Sequence, residues 1–203
     1  MADGTAHSQK EAQERATFTA MTDGTEADWA AIARAGQAHR GEHVDRILSH
    51  MKLLDNDYGG FNVDRLEHSL QTATRAFRAG QDEEYVVCAL LHDIGDILLP
   101  ASHAELGAAI LKPYISEQNH WMLEKHGIFQ GYYFFQHLGL DRDMRDAWRD
   151  HPWFEYTAQF CHLYDQNSFD PAYDSMPLEA FEPMMRRVMD RPKHSIYMRE
   201  KAA

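Results

Sequence analysis

Apolar residues recur along this chain at helical spacing, and no alternating run long enough for a strand interrupts them. Segments 26–40 (EADWAAIARAGQAHR) and 42–56 (EHVDRILSHMKLLDN) predict helices, the second with Val44, Ile47, Leu48 and Met51 on one face. Paired glycines in DYGGFN, 57–62, predict a loop. The spacing then predicts a helix over 63–80, with Leu66, Leu70, Ala73 and Phe77 inward and Gly80 as its stop. Asp82 is placed to cap EEYVVCALLHDIGD, and Ser102 with Glu105 has capping-box spacing ahead of LGAAILKPYI. Ser116 caps EQNHWMLEKHG, and IFQGYYFFQHLG continues to Gly139. Asp141 caps RDMRDAWRD, Pro152 restarts the chain as WFEYTAQFCHLYDQ, and Pro177 opens a last helix to residue 190. The fold class expected is all-α, a helical bundle of eight or nine helices, with 1–25 a flexible polar segment and 26–203 a single domain.

Composition narrows the partners. The 203 residues carry 20 Lys plus Arg against 32 Asp plus Glu, a formal charge of −12. Such a surface repels nucleic acid and anionic membranes, and a small ligand held by a metal remains compatible with it. The N-terminal stretch has no apolar core of a secretory signal, and no run reaches the ~18 apolar residues of a membrane span. Cys88 and Cys161 are the two cysteines, not in a C-x-x-C pair, and read as reduced core thiols of a cytoplasmic protein.

Histidine, at 13, is the unusual count. CALLHDIGD ends an apolar run on His92 and Asp93 side by side. Imidazole and carboxylate without thiolate suit Fe, Mn or Zn. Adjacent helical residues point about 100° apart, so both reach one centre only if the helix end unwinds, which Gly95 permits, or if they serve two ions. Partners are available on neighbouring predicted helices: His68 near a buried edge, His103 at a helix start, His126 beside Gly127, and Asp165 on an apolar face. His120, six residues before His126, is the alternative on the same predicted helix and faces another way. His137, His151 and the histidines before residue 60 read as exposed or capping.

His68, His92–Asp93 and Asp165 resemble the H…HD…D ligand set of the HD-domain superfamily, an all-helical fold with its metal site in the bundle core. His103 and His126 resemble the two further histidines that make that site dinuclear. DYGGFNVDRLEHSLQ, HAELGAAIL, KHGIFQGYYFF and the segment from FCHLYDQ onward resemble the mixed-valent diiron oxygenases of organophosphonate degradation, over most of residues 55–190. The resemblance implies two iron ions, Fe(II)/Fe(III), held by His68, His92, Asp93, His103, His126 and Asp165 with Asp93 bridging, and O2 as cosubstrate. Tyr58, ten positions before the first ligand His, would cover one iron until substrate displaces it.

Departures from the family pattern bear on the substrate. Phe61 stands where the aminoethylphosphonate enzyme has an acid that pairs with a primary ammonium. A trimethylammonium has no N–H to satisfy and favours aromatic faces. Phe61, Tyr58, Phe129, Tyr132, Tyr133, Phe134 and Phe135 are available for that. Gln130, Asp96 and His162 stand where the family has basic residues on the phosphonate, and Lys125, Gln130 and His162 are the substitutes expected. With Phe61, the resemblance implies oxidative cleavage of (R)-1-hydroxy-2-(trimethylamino)ethylphosphonate to glycine betaine and phosphate. The primary-amine analogue, a sugar alcohol, phosphoester hydrolysis and a non-catalytic module are the rival readings.

Overall fold

The computed structural model describes residues 15–195. Two compact units divide the chain, one up to Arg46 and one from Ile47 onward. In the first, α1 (Glu26–Gly41) begins at a reciprocal cap: Thr25 accepts from the Asp28 N–H, and Asp28 accepts from the Thr25 N–H. Of the segment expected to be flexible, residues 1–14 lie outside the described residues. In its remainder Met21–Asp23 form a 3₁₀ turn, and Thr17 donates its N–H to Asp28 at 2.8 Å. The Thr25 hydroxyl and the Thr17 and Thr25 N–H groups hold the Asp28 carboxyl down at about 2. Helix α2 (His43–Met51) contains the boundary between the units.

The second unit holds α3 (Arg65–Arg78), α4 (Glu83–Leu91), α5 (His103–Leu111), α6 (Glu117–Gly131), α7 (Phe154–Phe160) and α8 (Leu178–Val188). Helix α4 is apolar all round, with Val86, Val87, Cys88, Ala89, Leu90 and Leu91 fully buried. A helix with no polar face can only be central, and α3, α6 and α8 pack round it. Each buried leucine contributes about 1.5–3 kcal/mol relative to exposure. Among the described residues the secondary structure is helical throughout, and no helix is long and apolar enough to cross a membrane.

Several local expectations shift. Phe77 is 45% exposed, while the buried face of α3 carries His68, Ser69, Gln71, Thr72, Ala73 and Ala76. Gln71 and Thr72 on that face are bonded, which removes the cost of burying them: Gln71 exchanges two hydrogen bonds with the Asp170 backbone, and Thr72 donates to His68 O, whereas the Ser69 hydroxyl is buried with no partner. The Ser102 hydroxyl makes no cap, because a 3₁₀ turn over Pro100–Ser102 runs directly into α5. Ser116 does cap α6, accepting from Asn119 N–H, and α6 continues to Gly131. The segments after Gly131 and Asp141 form 3₁₀ turns at Phe135–Leu138 and Met144–Trp148.

Two glycines bring the HD turn and α5 together. A Cβ on Gly107 would stand 2.8 Å from His92 O, and one on Gly95 would stand 2.6 Å from His103 O. At Gly127, by contrast, a Cβ would make only ordinary contacts, the nearest at 3.7 Å, so the close approaches are those at Gly95 and Gly107. Gly107→Ala should therefore destabilise the protein by about 1–3 kcal/mol through overpacking against a backbone carbonyl that has no room to retreat. Thermal denaturation should register that as a fall of roughly 2–10 °C; an unchanged Tm would mean that the two segments separate freely.

Candidate metal centre

Helix α4 stops at Leu91, and residues 92–98 form a succession of turns. This is the unwinding that the adjacent His and Asp required. His92 and Asp93 consequently face the same point. His68 reaches it from α3, His103 from the first residue of α5, and His126 from the middle of α6. Asp165 arrives through a π turn, Cys161–Asp165, that follows α7. One extra residue per turn re-aims a side chain, and such turns recur at functional sites. His120 faces elsewhere, 4.0 Å from Glu124.

Asp93 is the pivot of the cluster. Its Oδ2 lies 3.4 Å from His68 Nε2 and 3.3 Å from His92 Nε2. Its Oδ1 lies 3.4 Å from His103 Nε2 and 3.1 Å from His126 Nε2. Asp165 Oδ1 adds to the first group, 3.3 Å from His68 Nε2 and 3.7 Å from His92 Nε2. One carboxylate thus presents one oxygen to each of two histidine pairs.

The donor set fits a metal. His68, His92 and His126 have Nδ1 on the carbonyls of Ser168, Ala89 and Leu123 at 2.9, 2.8 and 2.7 Å. A carbonyl only accepts, so each Nδ1 carries the hydrogen and each Nε2 presents a lone pair inward. His68 Nε2 and His92 Nε2 stand 3.1 Å apart, too close for two lone pairs with no cation to share. Asp165 Oδ2 is buried and has no hydrogen-bond partner. Three overlapping groups of His and Asp atoms, each within 4.8 Å, could hold an ion: His68–His92–Asp93, His92–His126–Asp165 and Asp93–His103–His126.

Electrostatics agree. Burial opposes charge on His68, but hydrogen bonds to Asp165 and Asp93 outweigh it and raise its pKa from 6.5 to about 9. Burial likewise opposes charge on His92, and the Asp93 carboxylate lifts it well above the usual value. Asp93, against its own burial, is pulled well below the carboxylate range by His92, His126 and His68. Asp165 is lowered in the same way by His68 and His92. Protons occupy the place of a cation until a metal displaces them. The raised His68 pKa stabilises the metal-free fold fully below pH 6.5, and that contribution is lost as pH rises through about 9. Metal binding at pH 7 should therefore release protons, read by calorimetry in buffers of different ionisation enthalpy. Heats independent of the buffer would contradict this arrangement.

A cavity of about 490 Å³ opens onto the cluster. Phe61, Arg65, Asp96, Pro100, Gln130, Tyr133, Phe134, Gln166 and Phe169 line it with His68, Asp93, His103, His126 and Asp165. Phe169 stacks on His68 at 4.5 Å and on Phe61 at 4.9 Å, so three rings lead from a candidate ligand to the loop. Positive φ at Asn56, Gly59 and Gly60 turns that loop so that Phe61 lines the cavity while Tyr58, 49% exposed, does not. The cover expected of Tyr58 is thus not formed in this structure. Lys125 lies off the cavity too: one residue before His126, it turns to Glu124 at 2.9 Å and to the Trp148 ring. His162 is exposed within the π turn and meets the hydroxyl of Tyr133 at 3.1 Å. Gln130 does line the cavity, and its amide donates to Asp165 Oδ1 at 2.9 Å. Asp96 lines it as well and is paired with Arg65.

Residues 65–163 match the HD domain family. Those residues, from α3 into the π turn, carry the HD-domain fold. Its signature pair is His92–Asp93, and the match begins with Arg65 at the start of α3. A curated protein of Leisingera caerulea, [1-hydroxy-2-(trimethylamino)ethyl]phosphonate dioxygenase (glycine-betaine-forming), is 41% identical to this chain over 71 residues. That similarity covers 30% of this chain and 36% of the relative. Arg65 and Phe169 are among the cavity-lining residues that the sequence did not single out. Arg65 lies three positions before His68, hence on the same helix face, a spacing that could have marked it. Phe169 follows Asp165 by four positions in an irregular segment, where spacing carries no direction.

Proposed function

We propose that this protein is a non-heme diiron oxygenase that cleaves the C–P bond of (R)-1-hydroxy-2-(trimethylamino)ethylphosphonate, with O2, to give glycine betaine and phosphate. The observation that supports it most is the division of Asp93 between two histidine pairs. An HD hydrolase with one metal needs only His68, His92, Asp93 and Asp165; His103 and His126 turned on the second oxygen suit a second ion. The name of the Leisingera relative supplies the reaction and the substrate. Two bound iron ions would supply the redox chemistry with O2 and the Lewis acidity that binds the 1-hydroxyl and phosphonate oxygens.

The chain's own residues would hold and orient. His68, His92 and Asp165 keep one set of lone pairs fixed, and His103 and His126 the other, with Asp93 common to both. The rings of Phe61, Phe169, Phe134 and Tyr133 offer faces to the trimethylammonium, each contributing about 0.5–1 kcal/mol where exposed and ~2 where dry. The Tyr133 hydroxyl, which meets His162 Nδ1 at 3.1 Å, would supply a neutral donor for a phosphonate oxygen. Gln130 keeps Asp165 turned inward. Pro100 and Phe134 add apolar surface to the cavity wall.

The test is anaerobic loading with Fe(II), partial oxidation, and EPR with and without the compound, followed by phosphate and glycine betaine measured after O2 is added. A mixed-valent signal perturbed by the compound, with O2-dependent products, supports the reading. A mixed-valent signal indifferent to it, with turnover of the primary-amine analogue, keeps the oxygenase and changes the substrate. Phosphoester hydrolysis without a coupled two-iron signal would make it an HD phosphohydrolase.

A further inference from the structure

Three of the four clustered histidines are fixed by a backbone carbonyl at 2.9 Å or less, and the fourth is not. His103 Nδ1 has Pro100 O at 3.4 Å, the limit of a hydrogen bond, and Asp96 Oδ1 also at 3.4 Å. Its side chain is 28% exposed, against 6% or less for His68, His92 and His126. Asp96 itself is buried and is held twice. Its N–H bonds to Asp93 O at 3.0 Å, and its Oδ2 is paired with Arg65 Nη1. Arg65 in turn lies between two carboxylates, with Nε 3.7 Å from Asp57 Oδ2. Among the described residues it is the one Lys or Arg lining the cavity, yet those carboxylates already neutralise it, so it is poorly disposed to greet an anionic substrate.

We propose that Arg65 and Asp96 are positioning residues for one of two metal positions: Arg65 orients Asp96, and Asp96 holds the His103 ring so that Nε2 stays turned toward Asp93 Oδ1 and His126. This rests on the two-metal reading above. A carboxylate behind a ligating imidazole fixes ring orientation and raises ligand basicity, and losing it weakens metal binding by about 10–100-fold. The effect is confined to one position, because the histidines of the other, His68 and His92, are fixed by backbone carbonyls that neither Arg65 nor Asp96 touches. The two residues act in series, so removing Arg65 after Asp96 costs nothing further.

The experiment is an anaerobic equilibrium titration of the full chain with Co(II), followed by its visible absorption against a competing chelator. It compares wild type, Asp96→Asn, Arg65→Gln, Arg65→Lys and the Asp96→Asn/Arg65→Gln double variant, with melting curves of the metal-free forms. Wild type should bind two equivalents. Asp96→Asn should bind the first as wild type does and the second about 10–100-fold more weakly. Arg65→Gln should move the same equivalent by less, Arg65→Lys by less again, and the double variant should match Asp96→Asn. Should Arg65→Gln not fold, Asp96→Asn and Arg65→Lys carry the comparison. Two wild-type-like equivalents in Asp96→Asn, or equal weakening of both, would overturn the relay and leave the two-metal reading standing. Losses that add in the double variant would overturn the series. A single equivalent in wild type would bring down the two-metal reading, and the relay with it.

Discussion

Asp93→Asn should cost the protein one or both metals and lower O2-dependent phosphate release by more than about 100-fold. Residues that only support a metal ligand already contribute about 10–100-fold in affinity or activity, and Asp93 faces four histidine nitrogens directly. The carboxamide keeps the shape of the side chain but halves its function. One oxygen still serves one histidine pair, while the NH2 group presents hydrogens to the other pair and cannot ligate. Metal analysis on anaerobically loaded protein should fall from two equivalents to one or none. The substitution also removes a negative charge that raises the pKa of His68 and His92, so proton release on loading should shrink. Two retained equivalents and undiminished turnover would mean that Asp93 does not bridge and that the cluster works as a single-metal site.

Phe61→Glu should shift preference from the trimethylammonium substrate toward the primary-amine analogue. Phe61 lines the cavity at its mouth, 52% exposed, and is backed by Phe169. Removing one partly exposed aromatic face costs a quaternary ammonium about 0.5–1 kcal/mol. A carboxylate at that position offers a primary ammonium a charged acceptor, and hydrogen bonds to charged groups contribute about 1.5–3 kcal/mol. Together these change the ratio of kcat/KM for the two compounds by roughly 30–700-fold, since each ~1.4 kcal/mol is tenfold. Steady-state phosphate release with both compounds reads this directly. An unchanged ratio would place the ammonium elsewhere in the cavity and leave Phe61 as a wall.

Much of the local structure was legible in the chain. The all-round apolar run before His92 marks α4 as central, and the Ser116 cap sits at the start of α6 as its spacing predicts. The sequence of His68, His92–Asp93, His103, His126 and Asp165 was enough to nominate a cluster and to name the HD fold. Other features were hidden because they depend on partners far along the chain. Phe77 fits a helical stripe as well as its neighbours do, but the buried face of α3 is set by the 168–176 segment that bonds to His68, Gln71 and Thr74. Lys125 and His162 were plausible anion anchors by position, and their helical phase turns them away from the cavity.

By itself the sequence determined which residues can ligate, because imidazole and carboxylate side chains are a matter of composition, and where the long helices α1, α3, α4, α6 and α8 lie, because burial of a stripe follows from periodicity. It also determined that Phe61 and not an acid stands near the mouth of the cavity. Only the tertiary structure decided that Asp93 divides its two oxygens between two histidine pairs, that Asp96 is bound to Arg65 and lies against His103, and that Tyr58 stays outside the cavity. Those facts are distances between atoms on different helices. They are set by how closely Gly95 and Gly107 let α5 approach the HD turn and by the π turn that aims Asp165. Local spacing fixes a side chain's direction relative to its own helix axis; where that axis lies is decided by the packing of the whole bundle.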